Sequence, residues 1–214
     1  DKIIVAMRCP VGVVSAIGPF NRPMNQVVVK VAPSFAAGNK TIIKPTERTP
    51  MSAIRFVQIL LNNGMPPEMI SIVTGKSSEI GDELVSSQKI DMVTFTGSTE
   101  VGRKLTNMAG IKKLTMELGG NDPLIVLEDG DLDKAAKLTV AGAYGNAGQA
   151  CRGVKRILVI NSVADAFAEK LKAETEKIKC GDPFDPDTAI GTVIDEYLDV
   201  AHAFFSGPET KLVN

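Results

Sequence analysis

Three cysteines stand in this chain, Cys9, Cys151 and Cys180, and only Cys151 has a setting that suits chemistry. It follows Gly145-Asn146-Ala147-Gly148-Gln149-Ala150 and precedes Arg152. Glycines and polar residues argue against core packing, and an adjacent cation favours the thiolate, the nucleophilic form of the side chain. A buried core cysteine remains the alternative reading. Glu117 ends an apolar stretch just before Gly119-Gly120. A carboxylate between apolar neighbours can be desolvated toward the range of a general base, or can point to solvent from a strand end. Asn21, in Pro19-Phe20-Asn21-Arg22-Pro23, offers an amide donor for an oxyanion, or an ordinary turn and cap residue.

Two further loops carry polar groups at useful spacing. Thr96-Gly97-Ser98-Thr99-Glu100-Val101-Gly102 joins an apolar strand to a helical pattern. Free amides at a helix start, a Ser hydroxyl and a glycine turn make an anion site, as well as an ordinary strand–helix connection capped by Ser98. The pattern is neither G-x-G-x-x-G nor a P-loop. Lys44-Pro45-Thr46-Glu47 places a donor and an acceptor where vicinal ribose hydroxyls could meet them, or two solvated charges. An acidic residue on a ribose 2′-hydroxyl favours NAD over NADP.

The elements that must hold these loops alternate. Strands are expected at Val11–Ile17, Thr41–Lys44, Ile70–Val73, Met92–Phe95, Leu114–Leu118, Leu124–Leu127 and Arg156–Ile160. Helices are expected over 24–37, from Pro50 to about Asn62, near Glu79–Ser86, from Ser98, over 132–143, and from Val163 to Ile178 with Ser162 and Asp165 as a capping pair. Strands separated by helices imply βαβ crossovers and a mostly parallel sheet with helices on both faces, an α/β Rossmann-like architecture. Such sheets bind ligands beyond the carboxyl ends of their strands, which is where the loops above fall.

Composition narrows the partners. The 214 residues carry 24 basic and 25 acidic side chains, a net charge of −1, which disfavours nucleic acid and membrane surfaces. No apolar run is long enough to span a membrane. The cysteine spacings fit no metal site or disulfide framework, and a cytoplasmic location is expected. The single histidine, His202, would have to carry any Cys-His mechanism alone.

Taken together and in order, Pro19-Phe20-Asn21-Arg22-Pro23, Lys44-Pro45-Thr46-Glu47, Phe95 to Gly102, Glu117-Leu118-Gly119-Gly120 and Gly148-Gln149-Ala150-Cys151 resemble the motifs of the aldehyde dehydrogenase superfamily. The resemblance runs from about Pro10 to Asp195. It is nearest to the phosphonoacetaldehyde, lactaldehyde and semialdehyde dehydrogenases, through Glu117 to Val126 and Gly191 to Asp195. It implies Cys151 as nucleophile, Glu117 as general base, and Asn21 with the Cys151 amide as oxyanion hole. Cofactor contacts are implied at Lys44, Glu47, Gly97, Ser98, Phe20, Gly75 and Leu118. The cofactor expected is NAD, with NADP disfavoured. Arg22 and Arg152 suit a small anionic aldehyde, although Ala150 stands where phosphonoacetaldehyde dehydrogenases carry Arg.

The resemblance also implies a partial chain. A cofactor domain is expected over 1–118, the start of a catalytic domain over 119–195, and an unassigned tail over 196–214. Family members form homo-oligomers, but the interface segments are expected to be missing here. The reading that follows is NAD-dependent oxidation of an aldehyde to an acid through a thiohemiacetal and a thioester. A truncated dinucleotide-binding module without turnover, or a cysteine hydrolase, stands beside it.

Overall fold

The structure, a computed structural model, describes residues 2–194. His202 and the tail expected over 196–214 lie outside the described residues. The chain divides into two compact units, the first ending at Gly119 and the second beginning at Gly120.

The first unit alternates strand and helix: β1 (Val13–Ile17), α1 (Asn25–Ala36), β2 (Lys40–Lys44), α2 (Met51–Asn62), β3 (Ile70–Ile72), α3 (Ser77–Ile80), α4 (Glu83–Ser86), β4 (Met92–Thr96), α5 (Thr99–Ala109) and β5 (Lys113–Glu117). The five strands are all parallel, in the order β3-β2-β1-β4-β5. The chain moves outward from β1 through β2 to β3, then returns to the other side of β1. The winding therefore reverses between β1 and β4.

Side-chain alternation sorts the helices onto two faces. Ile43 packs with Val27 and Val31 of α1, Ala53 and Val57 of α2, and Ile70. Its neighbour Ile42 points the other way, toward Val93, Phe95, Leu105 and Ala109. A sheet covered on both faces buries near-continuous apolar strands, which is why β1 and β4 read so clearly. The helix expected near Glu79–Ser86 is instead two short turns, Ser77–Ile80 and Glu83–Ser86. A Cβ on Gly81, between them, would lie 2.5 Å from the Ser77 carbonyl oxygen.

The second unit holds β6 (Asp122–Val126), α6 (Leu132–Tyr144), β7 (Val154–Val159) and α7 (Ala164–Thr175). β6 and β7 pair in parallel. Val126, Ala136 and Phe167 form its core, with Leu124, Ile157 and Val159 packed against them. The other face of the two strands is apolar and open: Ile125 is 64% and Leu158 50% exposed. Asp131 caps α6 by accepting from the Lys134 amide at 3.0 Å. The capping pair expected at Ser162 and Asp165 does not form. Residues Asn161–Val163 make a 3₁₀ turn, and α7 starts behind Val163 with no side-chain cap. Among the described residues, no helix is long and apolar enough to cross a membrane.

Candidate functional site

Because every strand of the first unit runs the same way, its loops after β1, β2, β3, β4 and β5 share one edge. Phe20, Asn21 and Arg22 follow β1. Lys44 ends β2 and Glu47 lies three residues on. Gly75 follows β3, Gly97 and Ser98 follow β4, and Glu117 and Leu118 close β5. Cys151 and Arg152 belong to the second unit.

The β1 loop is fixed from both ends. The Phe20 carbonyl accepts from Thr49 Oγ1 at 3.2 Å, and the Arg22 carbonyl accepts from the Gln26 amide at 3.0 Å, at the start of α1. Asn21 is half-buried and Arg22 exposed.

Lys44 is 2% exposed, an unusual burial for a lysine. Its Nζ donates to the Pro45 carbonyl at 3.3 Å and to Glu47 Oε2 at 3.4 Å. Glu47 is 43% exposed and also accepts from Ser77 Oγ at 3.3 Å. Its own backbone amide and, after that, Lys44 hold its carboxyl below the ordinary range. The pair presents an anchored ammonium and an ionised, accessible carboxylate.

After β4, Gly97 continues the ladder by donating its amide to the Glu117 carbonyl at 3.1 Å. A Cβ there would fall 2.4 Å from the tip of the Phe95 ring. Ser98 is exposed and caps α5, accepting from the Val101 amide at 3.2 Å. Gly102 of the same helix lets α5 close on Leu118, where a Cβ would lie 2.4 Å from Leu118 Cδ2. Leu118 is thus packed toward the α5 side of the sheet.

Glu117 is exposed. Met116 and Leu118, its apolar neighbours, turn to the opposite face and join the core there. Strand alternation thus separates Glu117 from the residues that flank it in sequence. What it meets is polar: Oε2 accepts from Thr96 Oγ1 at 3.3 Å. Thr96 is also within 3.2 Å of Gln26 Oε1, and it accepts from Lys30 Nζ at 2.7 Å. A hydroxyl has one proton, so Thr96 serves either Gln26 or Glu117 at a time. Lys30 is buried and also donates to Thr94 Oγ1 at 3.4 Å. Burial lowers its pKa from 10.5, against the opposing pull of the Glu117 charge. Lys30, Gln26 and Thr96 were not singled out from sequence. The signal was there: Lys30 sits in the stripe Val27, Lys30, Val31, Ser34, which is buried throughout.

In the second unit, the loop between α6 and β7 carries Cys151. It turns through Gly145–Gly148, with Asn146 and Ala147 both left-handed at φ 56° and 55°. Gln149 is buried, and its Oε1 accepts from the Ile194 amide at 3.0 Å. Cys151 is half-buried, Arg152 exposed, and Cys9 and Cys180 exposed. Gly120 packs on this loop, since a Cβ there would fall 2.3 Å from the Cys151 carbonyl oxygen. Among the described residues, no group of three or more His, Cys, Asp or Glu is placed to hold a metal ion.

A five-stranded parallel sheet that reverses between β1 and β4, with helices on both faces and its polar loops on one edge, is a doubly wound α/β domain of the Rossmann-like class. Residues 1–199 match the aldehyde dehydrogenase family, and the chain belongs to that family. It is 42% identical over 194 residues to a 3-sulfolactaldehyde dehydrogenase of Priestia megaterium, covering 91% of this chain and 41% of that one. It is 40% identical over 198 residues to an NADP-dependent succinate-semialdehyde dehydrogenase of Escherichia coli, covering 92% and 41%. Its fold is similar to that of a betaine aldehyde dehydrogenase of Staphylococcus aureus in complex with NAD+, at a TM-score of 0.86 and 38% identity, covering 91% and 41%. The chain therefore spans about two fifths of the length of these relatives.

Proposed function

We propose that this chain is the cofactor-binding part and nucleophile loop of an NAD-dependent aldehyde dehydrogenase acting on a small anionic aldehyde. The reading rests on one observation above all. Lys44 and Glu47, an anchored donor and an ionised acceptor, share a sheet edge with the capped N-terminus of α5. That set fits a dinucleotide: hydroxyls of the adenosine ribose at Lys44 and Glu47, pyrophosphate at Gly97 and Ser98. Phe20, Gly75 and Leu118 complete the cofactor contacts. The Glu47 carboxylate would repel a 2′-phosphate, which favours NAD over NADP. Residues 1–118 form the cofactor domain in this reading, and 119–195 begin the catalytic domain.

Cys151 Sγ attacks the aldehyde carbon to give a thiohemiacetal. The Asn21 amide and the Cys151 backbone N–H stabilise the oxyanion, a contribution of about 10²–10³ in rate per donor. NAD, when bound, supplies the hydride acceptor. The thioester left on Cys151 is then opened by water that Glu117 deprotonates, with Thr96 holding the carboxylate. Arg22 and Arg152 pair with the anionic end of the substrate. Two relatives whose names specify sulfolactaldehyde and succinate semialdehyde, both anionic, support that substrate class. A cytoplasmic setting fits the reduced cysteine this chemistry requires.

A second reading is a dinucleotide-binding module without turnover. Peptide mass spectrometry separates the two. After exposure to NAD and succinate semialdehyde and an acid quench, the first reading expects an acyl adduct on Cys151. NAD bound with no adduct would favour the second.

A further inference from the structure

β6 and β7 are not in simple register. Asp122 pairs with Val154 and Pro123 with Arg156, so Lys155 is the extra residue of a β-bulge. Bulges bend a strand and re-aim a side chain, and they recur beside active sites. Here the bulged side chain turns back over the preceding loop. Lys155 Nζ donates to the Ala150 carbonyl at 2.9 Å and to the Cys151 carbonyl at 3.3 Å. The next residue anchors the opposite strand: Arg156 donates from Nε at 3.0 Å and from Nη2 at 2.7 Å to the Asn121 carbonyl. Gly120, beside Asn121, also lies close to the Cys151 carbonyl, where a Cβ would fall 2.3 Å from its oxygen. The backbone at Cys151 is therefore in contact with the starts of both strands.

The consequence lies in the peptide unit. The Ala150 carbonyl and the Cys151 N–H belong to one planar trans unit and point in opposite directions. Whatever fixes the carbonyl fixes the amide. We infer that Lys155 is a positioning residue: by holding the Ala150 carbonyl, it aims the Cys151 N–H at the oxyanion that forms when Cys151 attacks a carbonyl carbon. This rests on the reading of Cys151 as nucleophile, and it adds a residue that the motifs themselves leave out.

Two reactions of the same thiol separate aim from access. With p-nitrophenyl acetate, Sγ attacks the ester carbon through an oxyanion. The C–O bond then breaks, p-nitrophenolate leaves and a thioester remains on Cys151. With iodoacetamide, Sγ displaces iodide and no oxyanion forms. Both rates are read by peptide mass spectrometry on the full chain, with Cys9 and Cys180 as exposed internal references. In Lys155→Met, acylation of Cys151 is expected to fall about 10²-fold, the effect of losing an oxyanion donor. Alkylation is expected to change less than about threefold, a small fraction of that loss. Lys155→Arg, which keeps a cationic donor, is expected to restore most of the acylation.

Acylation unchanged in Lys155→Met overturns the inference and leaves the nucleophile reading standing. Equal losses of acylation and alkylation also overturn it, because Lys155 would then support the loop without aiming the amide. If Cys151 in the unaltered chain is acylated no faster than Cys9, the nucleophile reading itself fails, and the inference with it.

Discussion

Lys44 Nζ lies 3.4 Å from Glu47 Oε2 across the turn that follows β2, with the lysine buried and the carboxylate accessible. The pair is held by contacts within the chain itself. Lys44 has its second bond to the Pro45 carbonyl, and the Glu47 pKa is lowered first by its own amide and then by Lys44. In the proposed function Glu47 accepts from the ribose. Glu47→Ser should then weaken NAD by about tenfold, the scale of one hydrogen bond to a charged group. NADP should be weakened less, because the lost charge no longer repels its 2′-phosphate. Calorimetric titration with both coenzymes checks this, and equal effects on the two would remove the ribose assignment.

Two helix caps of the same type separate stability from binding. Ser98 accepts from the Val101 amide at 3.2 Å, and Asp131 accepts from the Lys134 amide at 3.0 Å. Ser98→Ala and Asp131→Ala should each cost about 1 kcal/mol, read as a shift of the urea transition. Only Ser98→Ala should also weaken NAD, since only that cap lies on the proposed pyrophosphate turn.

Much of this was legible because it depends on neighbours in sequence. Near-continuous apolar strands such as Val13–Ile17 and Met92–Thr96 mark a sheet covered on both faces, and the loops after them fall on one edge by topology alone. What escaped depends on direction. Glu117 reads as flanked by Met116 and Leu118, yet alternation turns those two away and leaves it with Thr96. Lys30 sits on the buried stripe of α1, but only the docked helix shows that it reaches Thr94 and Thr96. Lys155 lies just before the strand expected from Arg156, and only the register shift and its bonds to the Ala150 and Cys151 carbonyls show that it turns onto the loop. Ser162 and Asp165 have the spacing of a cap, but a 3₁₀ turn takes up the residues a cap would need.

Lys30 gives the first unit an alkaline dependence. Burial lowers its pKa below 10.5 in the fold, so between that lowered value and 10.5 the unfolded chain binds more protons. Its contribution to stability therefore rises with pH across that window. Urea midpoints compared between neutral pH and pH near the ordinary lysine value of 10.5 should show the rise. Lys30→Met should flatten it. A slope that persists in Lys30→Met would assign it to another group.

Gly120 and Gly119 are adjacent but differ in what a methyl would meet. At Gly120 it falls 2.3 Å from a backbone oxygen, that of Cys151; at Gly119 it falls 3.3 Å from a side-chain hydroxyl, Thr99 Oγ1. Gly120→Ala should destabilise by about 1–3 kcal/mol, the cost of overpacking, because the Cys151 backbone must move. Gly119→Ala should stay within about 0.5 kcal/mol. Urea unfolding ranks the two.

The central claim is that Cys151 carries out an aldehyde oxidation coupled to NAD. The most direct test is absorbance at the NADH band, with the chain near-stoichiometric with NAD and supplied in turn with succinate semialdehyde, phosphonoacetaldehyde and a neutral aldehyde. Cys151→Ala serves as the control. NADH formation by the unaltered chain, larger with the anionic aldehydes and lost in Cys151→Ala, is the expected result. NADH that forms equally in Cys151→Ala, or NAD binding with no NADH from any aldehyde, would contradict the claim.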